Sequence, residues 1–114
     1  MLRDIFQSMR ARRLLRATPR LLIRQFNCLP YYTPAQVDWA LKKSQGKLPN
    51  HRYLAYALFC EKRDFLHVTG ETSATWESCR RQLGRALFAG RTDFSVEDVM
   101  TLAEKEEEAL ESAH

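Results

Sequence analysis

Hydrophobic residues recur along this chain at the spacing of α-helices. Val37, Ala40 and Leu41 fall on one face of a segment in which Asp38 and Lys42 point outward. This i, i+3, i+4 pattern is typical of a half-buried helix. No segment alternates apolar and polar residues over more than four positions with β-branched side chains, as a half-buried strand would. We predict helices over residues 2–17, 19–27, 34–45, 50–63, 73–89 and from residue 96 onward.

Two of these helices begin with a capping sequence. Thr33 is followed by Pro34 and then, three positions after the threonine, by Gln36. In such a capping box the hydroxyl and the amide side chain satisfy backbone N–H groups at the start of the helix, and proline suits its first position. Ser95 and Asp98 repeat the pattern before the last helix. These two helix starts are therefore the sharpest local predictions.

The segment over residues 50–63 is apolar on every side. It contains a continuous run from Leu54 to Cys60, and a helix without a polar face belongs at the centre of a fold. We therefore predict an all-α fold, a compact and irregular bundle of five or six helices around this central helix. Its predicted core consists of Val37, Leu41, Leu54, Leu58, Phe59, Trp76, Leu83, Leu87, Phe94 and Val99.

Charge divides the chain into three regions. The sequence has 114 residues and a net charge of +4, but residues 1–26 carry seven arginines and one acidic residue, and residues 96–114 carry seven acidic residues and one lysine. We assign residues 1–28 to a basic N-terminal helical segment, 29–104 to the helical bundle and 105–114 to an acidic tail. We expect the tail to project beyond the bundle.

Three interpretations of this charge pattern stay open. The two ends attract each other within one chain, they pair between chains, or the basic end faces an anionic partner. The third leads us to expect a small non-enzymatic adaptor or regulatory protein that contacts an acidic protein or an anionic membrane surface. We assign this contact to Arg12, Arg13, Arg16 and Arg20, and we expect the bundle to fold without residues 1–26.

A nucleic acid is the alternative partner. Arginine-rich surfaces contact phosphates regardless of base sequence, and Arg80, Arg81 and Arg85 form a second predicted patch, which we expect on the outward face of the helix over residues 73–89. However, the chain has no recognisable nucleic-acid-binding motif. The basic character therefore permits this function without specifying it.

No pattern in the chain indicates a metal centre or an enzyme. Zinc ligands usually occur in closely spaced pairs, whereas His51, Cys60, His67 and Cys79 are separated by at least seven positions. The four glycines are isolated and form no phosphate-binding loop. We therefore predict no cofactor, no metal and no small-molecule substrate.

The remaining candidate chemistry is weak. Asp64 and His67 are spaced to form an acid–base pair, although such a pair more often lies at a helix end. An enzyme would need a pocket that joins these two residues to a thiol. Cys28, in a predicted loop near Arg24, is the thiol that we expect to be exposed, since arginine can activate a nearby cysteine. We expect it to be a bystander.

Three groups of residues carry a resemblance to a known family. The segments are Tyr31–Val37, Tyr56–Phe59 and Phe94–Val99. They resemble a family of small uncharacterised bacterial proteins with a basic N-terminal segment, over residues 30–100. This resemblance implies a bacterial origin and no assigned activity, and it transfers no functional residue.

The expected compartment follows from the cysteines and the basic end. Three widely spaced cysteines favour a reducing compartment. We expect a cytoplasmic protein, including the periphery of the inner membrane. The alternative is the mitochondrial matrix, because an arginine-rich segment over residues 1–26 also has features of a transit peptide. A homo-oligomer is compatible with all of these interpretations.

Overall fold

A computed structural model of the chain describes residues 9–112, apart from the side chains of Leu110 and Ser112. Residues 9–14 are helical and are called α1. The start of the helix predicted from residue 2 lies outside the described residues. No strand occurs between residues 9 and 112, so the predicted all-α bundle is confirmed. The other helices are α2 (Thr18–Phe26), α3 (Pro34–Gln45), α4 (Arg52–Phe59), α5 (Lys62–Thr69), α6 (Ser73–Leu87) and α7 (Val96–Ser112).

Both predicted capping boxes are present. The backbone N–H of Gln36 donates to the Thr33 hydroxyl (3.2 Å), and the Thr33 N–H donates to the Gln36 side chain (2.9 Å). Before α7, Asp98 and Ser95 exchange the equivalent bonds at 3.1 and 2.9 Å. Helix α3 ends at Gly46, whose φ of 81° lies in the left-handed region that glycine adopts without a steric penalty.

The single helix predicted over residues 50–63 is wrong, because two helices occupy this segment. The chain is extended at Cys60 and Glu61, with ψ angles of 162° and 152°. The carbonyl of Phe59 accepts a hydrogen bond from the backbone N–H of Tyr32 (2.8 Å). Tyr32, which is distant in sequence, thus satisfies a carbonyl group at the C-terminal end of α4. The helix therefore ends here without a helix-terminating residue nearby in the sequence.

Helix α4 nevertheless occupies the centre of the core. Six of its eight residues are buried, as predicted for a helix that is apolar all round. Eight of the ten predicted core residues are buried, whereas Trp76 and Leu87 are only partly buried at the edge of the core. The prediction missed Tyr32, Tyr56 and Phe65, which are fully covered.

The basic segment also belongs to this core. Ala11, Leu14, Leu15 and Leu22 are each no more than 3% exposed, and α2 packs mainly against α3. We had expected the bundle to fold without residues 1–26, but such a deletion removes these four side chains from a close-packed interior. We now expect the truncated chain to be strongly destabilised. Removal of residues 1–26 as a transit peptide would lower the free energy of unfolding to the same extent.

The side chain of Arg80 contacts three parts of the bundle. Its guanidinium donates to the backbone carbonyls of Ala57 (3.3 Å), Thr92 (3.0 Å) and Phe94, and it lies 3.6 Å from the centroid of the Phe94 ring. The expected outward position of Arg80 is therefore wrong, although Arg81 on the same helix is exposed. The position of Arg80 could not be predicted from helical spacing, because the carbonyl groups that it contacts belong to other parts of the chain.

Replacement of Leu14 by alanine tests whether the basic segment is part of the core. We expect Leu14→Ala to lower the free energy of unfolding by about 2–5 kcal/mol, because it leaves a cavity in a buried site. Urea denaturation followed by circular dichroism measures this change. Met9→Ala is the control, since Met9 is 54% exposed. Equal, small effects of both substitutions would contradict the packing of α1 in the core.

Replacement of Arg80 by glutamine tests the contacts between α4, α6 and the loop before α7. We expect Arg80→Gln to lower the free energy of unfolding by about 2–3 kcal/mol, because carbonyl groups lose a charged donor. Arg81→Gln on the same helix is the matched control, with an expected change below about 0.5 kcal/mol. Thermal and urea unfolding of both variants would show the difference, and a stable Arg80→Gln variant would refute the structural role.

Candidate functional site

The packing of α1 sorts the arginines of the basic segment into two sets. Because Ala11, Leu14 and Leu15 point into the core, the intervening arginines emerge on either side of the buried stripe. Arg12 and Arg20 reach α7, while Arg13 faces the loop after α3. The four arginines assigned to a partner from the sequence therefore do not form one surface.

The first set pairs with the acidic segment. Arg12 lies 2.5 Å from Glu106, and Arg20 contacts Glu107. The side chains of these four residues are between 36% and 54% exposed, and exposed ion pairs of this kind each contribute about 0–1 kcal/mol. Helix α7 continues through this acidic segment to Ser112. Of the three interpretations of the charge pattern, attraction within one chain describes Arg12 and Arg20.

The second set lines two adjoining grooves between α1 and the segment after α3. The larger groove, of about 690 Å³, is lined by Arg10, Arg13 and Lys47. Arg13 and Lys47 also line the smaller one, of about 410 Å³, together with Arg16. Among residues 9–112, no aspartate or glutamate lines either groove. Together the two grooves form a surface that we call the basic groove, lined by Met9, Arg10, Arg13, Arg16, Ala17, Ser44, Gln45, Lys47, Pro49, Asn50, His51 and Tyr53.

Of the cations of the basic groove, Arg16 also lines a neighbouring groove that contains Glu104 and Glu107. Between residues 9 and 112, no ion pair involves Arg10, Arg13, Arg16 or Lys47. Like charges on a concave surface reinforce one another's field, which attracts anions from solution. The groove is therefore electrostatically suited to an anionic ligand.

Local sequence explains one wall of this groove. The left-handed turn at Gly46 ends α3 and redirects the chain, so that Lys47 comes to lie opposite Arg13. Pro49 is buried, and its ring fixes its own φ and restricts the backbone of the preceding residue, Leu48. Helix α4 then begins after His51. A turn, a proline and a helix start thus define the position of Lys47 and His51.

Two polar side chains in the groove have unsatisfied atoms. The Nε2 atoms of Gln45 and His51 are covered, and neither forms a hydrogen bond with any described residue. Burial lowers the pKa of His51, and the nearby charges of Arg10 and Arg13 lower it further. His51 therefore has less tendency to carry a proton than an ordinary histidine, in keeping with its cationic surroundings.

The candidate catalytic and metal-ligating residues show no comparable arrangement. No cluster of three metal-binding side chains occurs among residues 9–112. Cys60 is buried, and burial raises the pKa of its thiol to about 12. His67 is exposed and Asp64 is half-buried. Cys28 is exposed, as predicted.

The sequence predicted only part of this surface. Arg13 and Arg16 were expected to contact a partner, but Arg10, Lys47 and His51 were not identified. The density of arginines in the segment was a usable signal for Arg10. No signal placed Lys47 or His51 near that segment, because their proximity depends on how α1 packs beside the turn after α3.

Comparison with known proteins places the chain in a family. Residues 2–111 match a family of unknown function, DUF6559. The chain belongs to this family. The expected resemblance to an uncharacterised family is thereby confirmed, while the bacterial origin stays a prediction. No curated protein and no solved structure matched the chain.

The DUF6559 match extends across nearly the whole chain, so every residue of the basic groove lies within it. The paired residues Arg12, Arg20, Glu106 and Glu107 lie within it as well. Across residues 9–112, none of the helices combines the length and the apolar character needed to cross a bilayer.

Proposed function

We propose that this protein is a small, non-enzymatic adaptor or regulatory protein that binds an acidic segment of a partner protein in the basic groove. The observation that carries the proposal is the convergence of Arg10, Arg13, Arg16 and Lys47 on a concave surface to which no described residue contributes a carboxylate. The contact expected from the sequence is retained for Arg13 and Arg16. It is withdrawn from Arg12 and Arg20, which already pair with glutamates.

The charge pattern supports a defined binding site rather than nonspecific binding of anions. Mutual repulsion of neighbouring cations disfavours their close approach, and an acidic segment in the groove would neutralise it. Complementary charges of this kind mainly accelerate encounter and select the partner. The buried side chains of Leu14 and Leu22 hold the basic segment against the bundle, so that the groove is present before the partner arrives.

An acidic protein suits the geometry better than an anionic membrane does. A helix that lies on a membrane inserts its apolar face between the lipids. In α1 that face is occupied, because Leu14 and Leu15 are buried in the core, and Met9 is the exposed large hydrophobic residue of its described part. The proposal includes the cytoplasm as the location, on the basis of the sparse, unpaired cysteines.

A nucleic acid remains the alternative from the sequence, but the geometry favours it less. The second arginine patch loses Arg80 to contacts with backbone carbonyl groups, and Trp76 lies in part against the core. Single-stranded nucleic acids are usually held by exposed aromatic side chains beside cations. In the basic groove, Tyr53 is the aromatic residue, and it is 38% exposed.

Charge reversal in the groove tests the proposal. A fluorescently labelled peptide rich in glutamate is titrated with the full chain at low ionic strength, where electrostatic binding is strongest. We expect Arg13→Glu combined with Lys47→Glu to weaken binding by roughly tenfold or more, since each lost contact of an exposed charge is worth up to about 1 kcal/mol and each new glutamate repels the acidic peptide. Fluorescence anisotropy measures the affinity.

The matched control is Arg81→Glu combined with Arg85→Glu, which makes the same change in net charge on exposed positions of α6. We expect it to retain most of the affinity. Equal losses in both double variants would show that binding depends on net charge alone and would contradict the groove. Tighter binding to single-stranded DNA or to anionic vesicles than to the peptide would overturn the assignment to an acidic protein.

A further inference from the structure

We infer that the larger part of the basic groove is a binding site for a phosphomonoester group, such as the side chain of a phosphorylated residue in the partner segment. This inference rests on the proposed function, because it uses the same groove. It adds the chemical class of the group that the groove binds most tightly. The site consists of Arg10, Arg13, Lys47, Gln45 and His51.

The first reason is the number of donors around one space. Two guanidinium groups and one ammonium group line a groove of about 690 Å³, and each carries several N–H donors and no acceptor. A carboxylate offers two oxygens and a single charge. A phosphomonoester offers three terminal oxygens and a charge of about −1.5 to −2 at pH 7. Its acceptor capacity and charge therefore match this set of cations more closely.

The second reason is the pair of unsatisfied polar atoms beside these cations. The Nε2 atoms of Gln45 and His51 have no partner between residues 9 and 112, although neighbouring atoms cover them. Buried polar groups normally have a hydrogen-bond partner. Because both residues line the groove, a change of rotamer at either side chain would be the step that brings its N–H group to an oxygen bound there. Binding would thus satisfy two groups that the free protein leaves without partners.

The third reason is the electrostatic setting of His51. The described charged groups that line the groove with it are Arg10, Arg13 and Lys47, and Tyr53 is the other titratable residue between residues 9 and 112 that lines it. Burial of the ring, and then the charges of Arg10 and Arg13, lower the pKa of His51 and favour the neutral imidazole. A dianion beside the ring reverses this preference, because an opposite charge stabilises the protonated form. His51 therefore reports directly on whether a phosphate group occupies the site.

The test uses three small probes that share a ring and differ in their anionic group: phenyl phosphate, phenyl sulfate and benzoate. Each is titrated into the full chain and followed by NMR. We expect phenyl phosphate to bind roughly tenfold or more tightly than the two monoanions, because it carries a second negative charge that phenyl sulfate, with the same three terminal oxygens, lacks. The ring signals of His51 and the side-chain amide of Gln45 should shift, and the pKa of His51 should rise.

Two histidine variants locate the site. We expect His51→Ala to reduce the affinity for phenyl phosphate several-fold, because hydrogen bonds to charged groups are the stronger ones. His51 makes no side-chain capping bond to α4, so the variant should fold. His67→Ala, at an exposed position on α5, should bind phenyl phosphate as the unmodified chain does. Gln45→Ala provides a second test of the same groove.

Two results would overturn the inference. One is equal affinity for the three probes, and the other is an equal effect of His51→Ala and His67→Ala. A glutamate-rich peptide with a central serine, compared with its phosphoserine form, separates this inference from the proposed function. If both peptides bind equally well, the phosphate site is refuted and the acidic-partner proposal stands. If neither peptide binds, both fail.

Discussion

The burial of Ala11, Leu14 and Leu15 is the constraint on which the arrangement of charge depends. These side chains fix the rotation of α1 about its axis. Arg12 then faces Glu106, whereas Arg13 faces Lys47 across the basic groove. Burial of three apolar side chains provides several kcal/mol, which is more than an exposed ion pair provides. The core therefore decides where each arginine lies, and the ion pairs follow from it.

This order of cause and effect explains how one basic segment serves two purposes. Arg12 and Arg20 pair with two of the acidic residues of helix α7, Glu106 and Glu107. Arg13 and Arg16 contribute positive charge and form no ion pair with a described residue. A segment that projected freely would offer all its arginines to any polyanion. A docked segment offers a subset in a fixed geometry, which is what selective recognition of an anionic group requires.

Local signals in the sequence predicted local structure well. The capping boxes at Thr33 and Ser95 place the starts of α3 and α7, because the partners of each bond lie three residues apart. The boundary between α4 and α5 was missed since the Phe59 carbonyl is satisfied by Tyr32. Arg80 was misplaced for the same reason, as its carbonyl partners belong to other elements. The basic groove was predicted only in part. Its arginines are evident in the sequence, but which of them form ion pairs, and which residues lie beside them, depends on tertiary packing.

Hydrogen exchange in the free protein tests the docking of the basic segment most directly. Backbone amides exchange slowly only when they are hydrogen-bonded and protected by stable packing. If α1 and α2 belong to the core, the helical amides between residues 14 and 26 should be protected to a degree comparable with those of α4. Rapid exchange of this segment, with α4 still protected, would contradict the account. It would mean that the arginines project from the bundle and that the basic groove does not exist before binding.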